Sequence, residues 1–394
     1  MKPQLRFPEF TDDWEEIELG KLGTFTKGAN LSKADISETG TPFILYGELY
    51  TTYDEVAYDI KRKTEAKVDE KYYSKIGDVL IPTSGETAEE ISKATCVMQD
   101  GVILAGDLNI FRNDTVDGRI ISYIINYQIK RNIAKIAQGK SIVHIQAKNL
   151  SKIKIKYPKN KAEQEKIIDC ISSADDLISI FSKELKNLEE LKKGVMQKIF
   201  SQEVRFKRAD GTDYPDWEEK KLGEVADFIN GVAHENAIVK NGSFIVVNSK
   251  FIATDGQVKK YTDNLLSPLK IGDIVLVMSD VPNGRAMSKC FLIQEDNKYT
   301  LNQRICCLRT KENQIFIMNQ ISRCSYFLKF DDGLKQTNLR KDDVLNCPVF
   351  LPCLEEQEKI ANCLSAFDEA IKIKKEQIKT AKDLKKGLLQ QMFT

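Results

Sequence analysis

One segment of this chain occurs twice, and that repeat limits the possible folds more than any other feature. Displaced by 193 positions, Glu163 to Ser201 falls on Glu356 to Thr394 without a gap, and about 17 of some 40 paired residues are identical. Both copies open with Glu-Gln-Glu-Lys-Ile, at Glu163 and at Glu356, and both carry Leu-Lys-Lys-Gly, at Leu191 and at Leu384. A repeat this long implies a duplicated architecture. The chain reads as two units in tandem, each closed by the same long segment.

The remainder of each unit repeats more loosely. Asp13-Trp14-Glu15-Glu16 leads to Leu19-Gly20 and Phe25, and Asp216-Trp217-Glu218-Glu219 leads to Leu222-Gly223 and Phe228, displaced by 203. The chain's two tryptophans stand here, and a large aromatic at the head of each unit reads as a core anchor. Gly77-Asp78-Val79-Leu80-Ile81 and Gly272-Asp273-Ile274-Val275-Leu276 are turn-plus-strand signals of one kind. Two short apolar runs between Thr95 and Leu104, around Asp100-Gly101, predict a hairpin. A helix is predicted from about Ile120 to Gln138, ended by Gly139, with a counterpart from about Gln314 to Lys329 before Gly333. Short strands at Ile153–Ile155 and near Val349–Leu351 then lead to Pro158 and Pro352. The pattern is mixed α/β on a shared skeleton, with loops that differ in sequence and length. Loops on a rigid scaffold are where recognition resides, so two related domains should recognise two different things.

The repeated segments read as long helices. Asn160 with Glu163 makes a capping box for the first, and Glu355 and Glu356 give the second an acidic first turn. Apolar residues recur at Ile167, Ile171, Ala174, Ile178, Phe181, Leu185, Leu188, Val195 and Ile199, and in the second copy at Ile360, Leu364, Phe367, Ile371, Ile378, Ala381, Leu388 and Met392. The steps alternate four and three, a heptad seam. Each seam carries a lysine at one shared position, Lys192 and Lys385. A helix of about 38 residues is roughly 57 Å long and needs a partner along its apolar stripe. The obvious partner is its own copy, in an antiparallel pair with one domain at either end. Gly194 and Gly387 each cost about 1 kcal/mol inside a helix, which places them near a helix end or at a close approach.

The expected fold class is therefore α+β: two related mixed α/β domains separated by two long antiparallel helices that form a coiled coil, with an internal pseudo-repeat. The expected boundaries are 1–158 and 202–352 for the domains and 159–201 and 353–394 for the helices. Composition excludes several other classes. Net charge is +1, with 42% hydrophobic and 30% charged residues, and no apolar run is long enough to span a bilayer. The N-terminal residues lack a signal-peptide core, which points to the cytoplasm. Nine cysteines without a CxxC pair, and only His144 and His234 as histidines, argue for reduced core thiols and against a metal site.

These residues together resemble the specificity subunit of type I restriction–modification systems, over essentially the whole chain. The family's helical regions begin with a proline shortly before Glu-Gln-x-x-Ile, seen here from Pro158 to Ile167 and from Pro352 to Ile360. Its Trp-x-x-x-x-Leu-Gly opening is matched from Trp14 to Gly20 and from Trp217 to Gly223. The resemblance implies a protein that is no enzyme by itself and binds a bipartite, asymmetric double-stranded DNA target, one half-site per target-recognition domain. It also implies docking of two methyltransferase subunits and, in the full complex, of restriction subunits. S-adenosylmethionine, ATP and Mg would belong to those partners, and this chain would hold no cofactor. Neither a GxxxxGK[ST] phosphate loop nor an Asn/Asp-Pro-Pro-Tyr/Phe tetrapeptide is present. The helix pair then acts as a ruler between half-sites. Inserting or deleting one heptad in a helix, about 10 Å or roughly three base pairs, should change the length of the unspecified spacer and leave both half-sites intact; methylation mapping that returned the original spacer would refute this.

Local charge nominates where DNA is held. Arg119 to Lys156 contains Arg119, Lys130, Arg131, Lys135, Lys140, Lys148, Lys152, Lys154 and Lys156 and no acid, a field suited to phosphates. A solvated helix face is the plainer reading of the same run. After the helix-ending glycine, Lys140, Ser141, His144 and Gln146 mix the groups used on phosphates and base edges. In the second domain Lys335, Gln336, Asn338 and Arg340 correspond. Ser84 and Thr87 in one domain, and Asn283 and Arg285 in the other, follow equivalent strands, and Asn302 and Arg304 form a further candidate. Tyr46, Tyr50 and Tyr53 suit core packing better than stacking on a flipped base. Two rival readings are kept: a non-enzymatic coiled-coil scaffold with two binding domains that does not bind DNA, and a DNA methyltransferase or nuclease, which would bind S-adenosylmethionine unaided.

Overall fold

The computed structural model describes residues 3–139, 142–281 and 284–394. Lys140, Ser141 and Asn283 therefore lie outside the described residues. The chain divides into two compact units, Met1–Lys183 with Lys375–Thr394, and Glu184–Lys374. Each unit thus contains one domain, the first half of the long helix that follows it and the last half of the other long helix. Those helices run from Lys161 to Phe200 and from Leu354 to Phe393.

In the first unit, β1 (Glu15–Glu18) pairs with β12 (Lys154–Tyr157). The main sheet has the order β2-β10-β6-β8-β4, from Thr24–Lys27, Leu108–Arg112, Asp78–Pro82, Thr95–Val97 and Val56–Ala57. A second sheet joins β5 (Lys63–Thr64), β3 (Thr41–Leu45) and β9 (Ile103–Ala105), with β3 and β9 parallel. The hairpin expected between Thr95 and Leu104 is not formed. Gly101, at φ +74, turns the chain, but β8 enters the main sheet while β9 enters the second. Val97 and Ile103 are both fully buried, so both runs needed a sheet, and the turn carries the chain from one to the other.

The second unit repeats this plan. There β13 (Glu218–Lys221) pairs with β23 (Pro348–Leu351). Its main sheet is β14-β21-β17-β19, from Ala226–Asn230, Ile305–Thr310, Ile274–Val277 and Cys290–Leu292. The smaller sheet is β16-β15-β20, from Tyr261–Thr262, Phe244–Val247 and Tyr299–Leu301.

The repeated Gly-Asp pairs have a physical explanation. Gly77 and Gly272 take φ +93 and +85, a left-handed turn that glycine enters freely. The following aspartate accepts a backbone N–H at 2.8 Å, from Lys75 or Lys270, and a two-pronged bond from the arginine on the neighbouring strand, Arg112 to Asp78 and Arg309 to Asp273.

The Glu-Gln motif is likewise structural. Glu163 is buried and accepts from both prongs of Arg6, at 2.7 and 2.9 Å, and from the Trp14 indole at 3.0 Å. Glu356 receives Arg205 and Trp217 in the same way. The adjacent glutamines accept a backbone N–H, from Asp117 to Gln164 and from Asn313 to Gln357, and donate to the carbonyls of Pro158 and Pro352. Asn160 does cap the first long helix, accepting from the Ala162 N–H. Glu163 does not complete the capping box, because its carboxylate is committed to Arg6 and Trp14.

The predicted middle helix runs from Gly118 to Tyr123, continues as a wider π-turn at Ile124–Gln128 and, after a break at Ile129, resumes over Lys130–Ile136. Its counterpart breaks after Gln314–Ile321, where Arg323 takes φ +52, before Ser325–Leu328.

Along the seam Ile167, Ile171, Ile360 and Leu364 are buried, as is Ile371, while Ile178, Phe181, Leu185, Leu188, Phe367, Ile378 and Leu388 are half-buried. The two seam lysines have partners. In the second unit Lys192 meets Asp368 at 2.6 Å, and in the first Lys385 meets Asp175 at 2.8 Å. Both pairs set one helix antiparallel to the other, and Asp175 and Asp368 are themselves repeat equivalents. Lys385 is also shared with Glu55 at 2.7 Å, which accepts the Tyr127 hydroxyl at 2.6 Å. Burial opposes the Glu55 charge, but Lys385 and the hydroxyl outweigh it and its pKa is lowered; burial dominates at Asp175, which is raised. Gly194 and Gly387 are not close approaches, since nothing lies within 4 Å of where a Cβ would stand.

Candidate nucleic-acid interface

In each unit two loops are brought together by a two-residue ladder. In the first, β7 (Ser84–Gly85) pairs with β11 (Val143–His144); in the second, β18 (Ser279–Asp280) pairs with β22 (Thr337–Asn338). The loop after the main-sheet strand thus meets the loop after the middle helix. Gly139, at φ +142, allows the return that lets Gln138 and His144 exchange backbone bonds.

Beside the first ladder lies an open groove of about 1910 Å³. It brings together four of the predicted residues, Ser84, Lys130, Arg131 and His144, with Tyr46, Tyr50, Lys33 and Lys93, and its wall includes Lys386, Gln390 and Gln391 of the second long helix. It also contains Asp54, Glu55, Glu86, Glu89, Glu90 and Asp107. The groove is of mixed sign, against the uniformly basic field expected from Arg119 to Lys156.

The reason is tertiary pairing. Lys154 and Lys156 lie against Glu16 across the β1–β12 pair. Arg119 does not reach the groove residues; it makes a two-pronged bond to Asp117 at 3.0 and 2.8 Å, and the carboxylate raises its pKa. Lys135, Lys148 and Lys152 stay exposed on the surface.

Other predicted residues have structural duties. The Ser84 hydroxyl is buried and donates to Asp107 at 3.2 Å, and its carbonyl accepts the Tyr50 hydroxyl at 3.1 Å. Thr87 caps a helical turn by accepting from Glu90 N–H. Tyr53 accepts from the Lys61 N–H. Tyr50 and Tyr53 serve packing and loop support, and Tyr46 is 38% exposed. Lys93 donates to the Tyr53 carbonyl at 3.0 Å, and burial lowers its pKa.

In the second unit Lys335, Gln336, Asn338 and Arg340 are exposed, and Gln336 donates to the Ser279 hydroxyl at 2.7 Å. Arg285 and Arg304 are exposed as well, while Asn302 is half-buried and its backbone is held by Val247 and Ile305.

Asp107, Glu89, Glu90 and Lys33 line the groove without being nominated by the sequence, since they stand outside the basic run and the repeated loops, whereas Glu86 stands within the nominated loop from Thr83 to Thr87. Arg6 and Arg205 are not nominated either, although both precede a repeated tryptophan.

This architecture, two mixed α/β units each carrying a loop pair and sharing two long helices, defines a duplicated recognition protein. The family model described as the type I restriction modification DNA specificity domain matches residues 11–190 and 214–382, and the chain belongs to that family. Over 99% of its length the chain is 27% identical to the MjaVIII type I restriction enzyme specificity subunit of Methanocaldococcus jannaschii, covering 93% of it. It is 24% identical over 98% of its length to the putative MjaX specificity subunit of the same organism, covering 94% of it. Among solved structures, the type I S subunit of M. genitalium aligns with 100% of this chain and 99% of its own at TM-score 0.59 and 15% identity. A chain from a study of type I complex assembly and conformational transition aligns with 97% of this chain and 98% of its own at TM-score 0.56 and 16% identity. The protein is a type I restriction–modification specificity subunit with two recognition domains.

Proposed function

We propose that this chain is the sequence-specific DNA-binding subunit of a type I restriction–modification complex, reading a bipartite, asymmetric duplex target with one half-site per unit. The observation that carries this reading is the duplicated loop pair, one backbone device presented twice with different exposed polar side chains. The chain performs no chemistry itself. Two methyltransferase subunits, and restriction subunits in the full complex, bind S-adenosylmethionine, ATP and Mg.

Exposed apolar side chains on the long helices support docking of those partners. Leu177 and Leu384 in the first unit are 44% and 55% exposed, and Leu191 and Ile373 in the second are 55% and 46% exposed. The cytoplasm, where such a target is found, is the proposed location, and among the described residues no helix is long and apolar enough to cross a membrane.

The test is binding of the assembled complex to its duplex target across salt. A protein contacting six to ten phosphates loses about 10³–10⁵ in affinity between 50 and 200 mM salt. Binding that is absent, or indifferent to salt, would favour the protein-scaffold reading. The purified chain alone should not bind S-adenosylmethionine, and saturable binding would favour the enzyme reading.

A further inference from the structure

The two loop pairs can be placed in register from their backbone bonds. In the first unit Thr83 N–H donates to the Asp107 carbonyl at 2.8 Å, and Ile145 N–H donates to the Thr83 carbonyl at 3.0 Å. In the second, Met278 N–H donates to the Arg304 carbonyl at 3.0 Å, and Leu339 N–H donates to the Met278 carbonyl at 2.7 Å. The ladders agree, since His144 faces Ser84 and Asn338 faces Ser279. Position 144 therefore corresponds to 338, and 146 to 340.

Along both segments side chains alternate in and out, as extended backbone requires. The inward residues, Val143 and Ile145 in one unit and Thr337 and Leu339 in the other, are all at most 8% exposed. Outward residues are exposed and differ in chemistry, from His144 to Asn338 and from Gln146 to Arg340. Each outward backbone is held. The Gln146 carbonyl accepts from Asn149 and Leu150 N–H, and the Arg340 N–H donates to Asp343 at 2.7 Å. Among the described residues the side chains of Gln146 and Arg340 make no hydrogen bond or ion pair.

A station that held phosphate by charge alone would keep a cation in both copies; an amide can also donate to a phosphate oxygen, but phosphate contacts carry no sequence information and give the two copies no reason to differ. A neutral amide in one copy and a guanidinium in the other differ in the base edge they match. Glutamine pairs with adenine N6 and N7, and arginine with guanine O6 and N7.

We infer that positions 146 and 340 are one base-reading station presented twice, Gln146 selecting adenine in one half-site and Arg340 selecting guanine in the other. This rests on the DNA-reading function proposed above. The test uses the complete chain assembled with its methyltransferase partner, selecting bound duplexes from a randomised pool. Gln146→Arg should exchange adenine for guanine at one position of one half-site, and Arg340→Gln should do the reverse in the other half, each changing preference on the order of 10-fold or more. Gln146→Ala and Arg340→Ala should abolish preference at those same positions and leave the rest of the target intact. Exchanged chains that select the original target, alter the same half-site, or bind without any preference overturn the inference. A wild-type complex that selects no sequence overturns the DNA-reading function itself, so the two failures are distinguishable.

Discussion

Replacing Phe393 by alanine is expected to destabilise the unit that begins at the other end of the chain. Phe393 is 1% exposed, with its ring 5.9 Å from Trp14 and 5.8 Å from Tyr123. It belongs to the core formed by Leu19, Phe111 and Ile167, together with Leu389 and Met392. Truncating a phenylalanine in such a core costs about 3–5 kcal/mol. Each unit holds one tryptophan, so Trp14 fluorescence in a Trp217→Phe background reports the first unit alone. Its denaturation midpoint should fall sharply in Phe393→Ala, while Trp217 in a Trp14→Phe background should report little change. The mirror variant, Phe200→Ala, should weaken the second unit, where Phe200 lies 5.6 Å from Phe316. An unchanged first-unit midpoint in Phe393→Ala would show that the C-terminal half-helix is not part of that core.

Removing the buried carboxylate of the second motif should be as severe. Glu356 is 0% exposed and receives Arg205 and the Trp217 indole. Glu356→Ala leaves a mostly buried guanidinium with only the exposed Asp216 carboxylate, at 3.7 Å, as counter-charge, and breaking such a buried pair from one side costs about 3–5 kcal/mol. Glu356→Gln keeps an acceptor for the indole but loses the charge, so it should fall between alanine and wild type. The measurement is urea unfolding of Glu356→Ala, Glu356→Gln and wild type, followed by Trp217 emission in the Trp14→Phe background. A Glu356→Ala chain as stable as wild type would mean that the motif is conserved between the two units for some reason other than this buried ion pair.

Part of this is legible in the sequence. The tryptophans were legible as anchors because two large aromatics stood at the same place in each unit, and the seam was legible because Ile167, Ile171, Ile360 and Leu364 recur at helical spacing. The Thr95–Leu104 hairpin was misread because alternating apolar runs around a glycine turn look alike whether both strands join one sheet or two. The basic field from Arg119 to Lys156 is partly neutralised for a related reason. Net charge along a segment ignores Asp117 and Glu16, which fold back onto Arg119, Lys154 and Lys156. The partners of the seam lysines carry a sequence signal, since Asp175 and Asp368 repeat at the same displacement as Lys192 and Lys385.

Duplication, the long amphipathic helices and the family were determined by the sequence alone, because repeats and heptads are one-dimensional periodicities that no folding step is needed to reveal. Which half of each helix belongs to which unit, why the Glu-Gln motif exists, and that His144 matches Asn338 and Gln146 matches Arg340 were decided only by the tertiary structure. Those facts depend on hydrogen bonds between residues more than 50 positions apart in the chain, such as Ile145 with Thr83 and Arg6 with Glu163. Sequence order carries no trace of such a bond until the fold closes it.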